Sequence, residues 1–137
     1  FPFMNIKTIS GKTVNTKSTY YRNGLTVYSF WATWCVPCIN ELDDIHKEID
    51  KWNDANVKIV AISTDDSRTK RRVRPMVNGK NWNFEILMDE NQDLKRALNI
   101  TGIPHTIVTK GSRIIYRRIG YKPGEENDLY EFIIDSQ

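Results

Sequence analysis

Between residues 25 and 52 an apolar run, a pair of cysteines and an amphipathic stripe follow one another without a break, and that succession leaves few folds open. Leu25-Thr26-Val27-Tyr28-Ser29-Phe30-Trp31 is rich in aromatic and β-branched residues, which suit a buried pleated surface, and reads as a central strand. It runs straight into Trp34-Cys35-Val36-Pro37-Cys38. After Cys38 the apolar residues Ile39, Leu42, Ile45, Ile49 and Trp52 recur at spacings of three and four, with Asn40, Asp43, Asp44, Lys47, Glu48 and Lys51 on the other side. That period predicts one amphipathic helix. Val57-Lys58-Ile59-Val60-Ala61-Ile62-Ser63 is apolar at nearly every position, as a strand covered on both faces of a parallel sheet must be. The cysteines therefore stand at the strand-to-helix junction of a βαβ unit.

The flanking sequence fits around this unit. Residues 5 to 18 alternate loosely about a Gly11 turn and predict a small N-terminal hairpin, an accessory to the core. A polar, basic stretch near residues 67 to 79 predicts a second helix, Phe84-Glu85-Ile86-Leu87-Met88 a strand, and Leu94, Ala97 and Leu98 a short third helix. His105 to Thr109 and Arg113 to Ile119 read as two strands about Lys110-Gly111, and residues 125 to 134 as a final helix. The expected organisation is one domain over 1–137, with a hairpin extension at 1–24 and a core at 25–137.

At 137 residues the chain is long enough to fold on its own apolar core. Its formal net charge of +3 is too small to imply nucleic acid as a partner, and no apolar run reaches the ~20 residues that a membrane-spanning helix needs. The densest basic run, Lys70, Arg71, Arg72 and Arg74, reads either as a solvated helix face or as a dock for an acidic partner. No signal peptide is visible at Phe1, so any leader or anchor is expected to have been removed.

Cys35 and Cys38 are the only cysteines, and three readings compete: structural disulfide, metal site and redox dithiol. A closed loop of about four residues restrains the unfolded chain by only ~2 kcal/mol in the chain-entropy treatment, which makes a poor staple. A structural zinc normally takes four ligands, and beyond the cysteines only His46 and His105 are on offer. A redox dithiol needs what is present: two sulfurs a helical turn apart, the first at a helix start whose unpaired N–H groups and dipole favour a thiolate. Cys35 is then the nucleophile and Cys38 the buried resolving thiol, with Pro37 in the first turn where its missing N–H matters least. The Thr and Pro spacing that surrounds a peroxidatic cysteine is missing, because Thr33 stands only two residues before Cys35.

Phe30-Trp31-Ala32-Thr33-Trp34-Cys35-Val36-Pro37-Cys38, with Glu41 and then Gly102-Ile103-Pro104, resembles the thioredoxin superfamily, and within it the TlpA/ResA-like extracytoplasmic thiol-disulfide oxidoreductases. The resemblance covers residues 25 to 137 in element order. It implies a thioredoxin-like α/β fold, a central mixed sheet flanked by helices. It also implies a cis Pro104 beside the active-site disulfide, an Ile103 backbone offered to a substrate strand, and substrate contacts from Trp34, Val36 and Pro37. No cofactor beyond the Cys35–Cys38 disulfide and no metal is implied. The partners implied are a protein disulfide substrate and a membrane thiol-disulfide electron donor, with cytochrome c maturation as one destination, an extracytoplasmic location and a monomeric state.

Where thioredoxins carry a buried Asp six residues before the first cysteine, this chain has Ser29, so the resolving thiol needs another proton acceptor. Glu41, three residues after Cys38 at the edge of the apolar stripe, matches the Glu of the ResA-like group; it reads either as a proton-transfer and pKa-tuning carboxylate or as a boundary residue in a surface ion pair. Ile103 before the proline is like reducing thioredoxins and points to a reductase. The rival classes are a disulfide oxidase or isomerase, and a binding or chaperone module. His105, where many relatives have Thr, reads as a satisfied strand histidine or as a titrating neighbour of the site.

Overall fold

The computed structural model describes all 137 residues. Seven strands form one mixed sheet in the order β2-β1-β5-β4-β3-β6-β7, with β1 at Asn5–Thr8, β2 at Thr13–Asn15, β3 at Leu25–Trp31, β4 at Val57–Ser63, β5 at Glu85–Met88, β6 at His105–Lys110 and β7 at Arg113–Ile119. Strands β3, β4 and β5 are parallel, so their C-terminal ends share one edge of the sheet, and β6 and β7 run antiparallel beside β3. This is the mixed, helix-flanked sheet of the thioredoxin-like fold.

Alternation along β3 divides the core. Leu25, Val27 and Trp31 face the first layer, where they meet Leu42 and Ile45 of α1 (Val36–Lys47), Trp52 of α2 (Ile49–Asp54), Val73 and Val77 of α3 (Val73–Lys80), and Leu129 and Ile133 of α5 (Glu125–Ser136). Tyr28 and Phe30 face the second layer with Leu94 of α4 (Asp93–Ala97), Leu98 and Ile100. Leu42, Ile45, Leu129 and Ile133 are wholly buried, each contributing about 1.5–3 kcal/mol by leaving water. The Trp31 indole meets Trp82 edge-on at a centroid distance of 5.3 Å, which makes it a core residue.

Three sequence expectations change. The N-terminal hairpin is more than an accessory: β1 pairs antiparallel with β5 through Lys7 and Met88, and Ile6 is buried in the second core layer. The single helix expected through Trp52 breaks at Glu48, whose φ of −115° and ψ of 25° leave the helical region; the kink lets Trp52 pack against Tyr130 of α5. The basic stretch begins as a 3-10 turn at Lys70–Arg72 and becomes α-helical only from Val73, with Pro75 in the first turn, where N–H groups have no helical partner.

Candidate active site

Strand β3 ends at Trp31, and the chain turns through Ala32-Thr33-Trp34 to place Cys35 at the start of α1. Cys35 has extended backbone angles and no side-chain cap, and Val36 and Pro37 form the first helical positions, so Cys35 stands at the helix N-terminus. Cys35 and Cys38 are joined as a disulfide. Both are buried: Cys35 is 6% exposed and Cys38 0%. The nucleophile is thus nearly as covered as the resolving thiol.

The turn is held by Asp65, just past β4. Its carboxylate accepts the Thr33 amide at 3.0 Å, the Thr33 hydroxyl at 2.6 Å, the Ser63 hydroxyl at 2.7 Å and the Thr69 hydroxyl at 2.7 Å. Four donors on one buried carboxylate fix the backbone two residues before Cys35.

Glu41 lies one helical turn beyond Cys38, the spacing at which side chains share a face. It is wholly buried, rather than at the edge of the apolar stripe, and faces a row of side chains from three adjacent strands in register: Ser29, Thr106 and Arg118. The Ser29 hydroxyl donates at 3.4 Å, the Thr106 hydroxyl at 3.2 Å and the Arg118 guanidinium at 2.8 Å. Burial pushes the Glu41 carboxyl up to about 6, with Arg118 and the hydroxyls pulling against it. Arg118 is itself largely buried and also donates to the Glu125 carbonyl at 3.1 Å, tying the carboxylate to the start of α5.

Pro104 is cis and buried, and its carbonyl accepts the Gly120 amide at 2.7 Å. Ile103 packs against the core cluster that contains both cysteines. Around this end of the sheet Trp34, Val36 and Ile119 stand 59%, 66% and 63% exposed, and Pro37 is exposed as well. Cys35, Cys38, Trp34, Val36, Pro37, Ile103 and Pro104 therefore lie about the C-terminal end of β3 and the adjoining start of β6, with Glu41 one turn deeper along α1. His105 does not join them. It faces the second layer, where its Nε2 accepts from Arg117 at 3.2 Å, and burial with the Arg117 charge pushes it down to about 4. No group of three or more His, Cys, Asp or Glu side chains is placed to hold a metal.

Two residues escaped the sequence reading. Asp65 carries no motif of its own. Arg118 stands 77 positions from Glu41, and a register shift opposite Val108 and Thr109 decides that it, rather than Arg117, faces the carboxylate.

Among solved structures, a thioredoxin-like protein of Porphyromonas gingivalis superposes with a TM-score of 0.85 at 34% identity, covering 98% of this chain and 90% of that one. StoA of Bacillus subtilis superposes with a TM-score of 0.74 at 23% identity over 95% of this chain and 96% of that one. The thiol-disulfide oxidoreductase ResA of Bacillus thuringiensis is 25% identical over 103 residues, 74% of this chain; the match spans 58% of that relative's length. Residues 1–118 match the AhpC/TSA family model, and it is to the AhpC/TSA family that this thioredoxin-like chain belongs.

Proposed function

We propose that this chain is a thiol-disulfide oxidoreductase that reduces disulfides of proteins outside the cytoplasm. The observation that carries the reading is the succession of three groups along one helix: Cys35 at its N-terminal start, Cys38 sealed in its first turn, and Glu41 buried one turn further on. The thioredoxin-like fold and the ResA relative support it.

In the reduced state the helix start favours the Cys35 thiolate, which attacks a substrate sulfur and forms a mixed disulfide while the other substrate sulfur leaves as a thiolate. Cys38 then loses its proton to Glu41 and attacks the Cys35 sulfur. The second substrate thiol departs and the Cys35–Cys38 bond closes. Two electrons pass from the protein dithiol to the substrate disulfide, and the two substrate thiolates take up the proton that Cys35 released to solvent on ionising and the proton that Glu41 received from Cys38. With Ser29 beneath the site, Glu41 is the carboxylate available for this transfer. Trp34, Val36 and Pro37 flank the attacked sulfur, and the Ile103 backbone before cis-Pro104 is offered to an extended substrate.

The cycle closes when an external dithiol reduces the disulfide; a membrane thiol-disulfide donor is that class of partner, and cytochrome c maturation is one destination for the reducing power. The chain acts as a monomer and needs neither metal nor organic cofactor. No helix is long and apolar enough to cross a membrane.

The test is capture. Cys38→Ser leaves the mixed disulfide unresolved, so the reduced variant mixed with a disulfide-bonded protein accumulates a covalent adduct through Cys35, and Cys35→Ser does not. An adduct formed equally by Cys35→Ser overturns the assignment.

A further inference from the structure

We propose that a basic pocket on the same sheet edge as the disulfide receives an acidic segment of the protein whose disulfide this chain exchanges, a proposal that rests on the redox reading above. The pocket holds about 370 Å³ between the N-terminal hairpin and the start of α3. Lys7, Lys70, Arg71 and Arg74 line it against a single carboxylate, Glu90, over a floor that includes Val73 and Met88. Of the four cations only Lys70 is in an ion pair, with Glu90 at 2.7 Å. Arg74 reaches the Ile9 carbonyl at 3.4 Å, Lys7 donates to the Thr13 hydroxyl at 2.8 Å, and Arg71 is exposed.

The chain carries 20 cationic and 17 anionic side chains, a net of +3. Four cations against one carboxylate in the pocket give the same surplus, so the remaining 16 cations and 16 carboxylates cancel. Arg71 and Arg72 also border the adjoining groove along α3, so the pocket opens onto a cationic surface, the arrangement that steers an oppositely charged partner. The lining is too polar for an ordinary apolar ligand site, which argues for a charged occupant.

Position links the pocket to the chemistry. Met88 ends β5, Lys7 pairs with it from β1, and β5, β4 and β3 are parallel neighbours, so pocket and disulfide lie on the same edge of the sheet. Asp65 joins them: it binds Thr33, two residues before Cys35, and Thr69, the residue before Lys70. Two to three strand spacings separate β3 from the pocket, about 10–14 Å, which an extended peptide covers in about three to four residues. A substrate whose cysteine sits at Cys35 therefore places acidic residues in the pocket when they lie within about four positions of that cysteine.

The experiment uses the reduced full chain in single turnover, followed by tryptophan fluorescence, against three versions of one disulfide-bridged peptide carrying two Asp, two Asn or two Lys near the cystine. The substrate disulfide becomes two thiols as the protein dithiol becomes a disulfide, so no added reductant is needed. The acidic peptide should react about tenfold faster than the neutral one at low ionic strength, the basic one slower, with the spread shrinking by 0.5 M salt as screening shortens the field. In Arg71→Gln/Arg74→Gln the acidic-to-neutral ratio should fall toward one; because the ratio is internal to each protein, a change in overall rate does not mimic it. Equal rates for the three peptides in the parent chain, or a ratio unchanged in the double variant, overturn the pocket's role. Arginine-dependent binding to phosphatidylglycerol vesicles without peptide discrimination overturns it in favour of a membrane surface. Failure of the neutral disulfide hydroxyethyl disulfide to react as well would overturn the redox reading itself.

Discussion

Glu41 is a buried carboxylate carried by a helix. Ser29 stands where an acidic strand residue would, and the buried charge comes instead from α1, one turn beyond Cys38, meeting Ser29, Thr106 and Arg118 across three strands. Because burial raises the Glu41 carboxyl from 4.5 to about 6, the folded chain holds its proton more tightly than the unfolded chain does. Folding stability from this group is thus greatest below pH 4.5 and falls as pH rises to about 6, by about 2 kcal/mol. Glu41→Gln removes the titration. Its stability relative to the parent should improve by about that amount between pH 4 and pH 7, read from denaturant midpoints. The same variant should lower the pKa of the neighbouring thiol, since an anion beside a thiolate disfavours it, and should slow the step in which Cys38 loses its proton. Thiolate absorbance titrations that coincide for parent and variant would leave Glu41 as a structural ion pair. The sequence located Glu41 by its spacing from Cys38. It did not reveal Arg118, because the bulge in β7 sets which of two adjacent arginines points at the carboxylate. Ile115 and Tyr116 both pack into the first layer, so strict alternation from the β6–β7 turn would have chosen Arg117.

The elements around the site were legible to the extent that their period was local. The βαβ core and the cysteine junction follow from an apolar run and a 3.6-residue stripe, and both appear where the pattern put them. The break at Glu48 did not show, because the apolar stripe continues in phase through Ile49 and Trp52 while the backbone does not. The hairpin was legible as a hairpin, but its role as a sheet strand depends on β5, some 80 positions away in Leu87 and Met88. That role has an energetic consequence. Ile6 is 5% exposed among Tyr28, Val60 and Leu87, so Ile6→Ala should destabilise the whole chain by about 2–4 kcal/mol, the range for a truncated core aliphatic. A loss below about 0.5 kcal/mol in chemical denaturation would make the hairpin an appendage after all.

At the scale of the molecule, the parallel strands bring three features to one edge: the disulfide at the end of β3, the Asp65 clamp at the end of β4 and the basic pocket at the end of β5. Exposed Trp34, Val36 and Ile119 add an apolar rim beside them. In the proposed reading the fold separates chemistry from recognition, with electrons handled inside α1 and partners met along the sheet edge. The direction of electron flow is set by how far the site favours the disulfide over the dithiol. A buried carboxylate one turn beyond the resolving cysteine, ionised above about pH 6, works against the thiolate and so should shift the couple toward the reducing side. The most direct test is the reduction potential of Cys35–Cys38 at pH 7, from equilibration in defined redox buffers. The expected value lies near the thioredoxin couple at about −270 mV, and a value above about −180 mV would contradict a reductase.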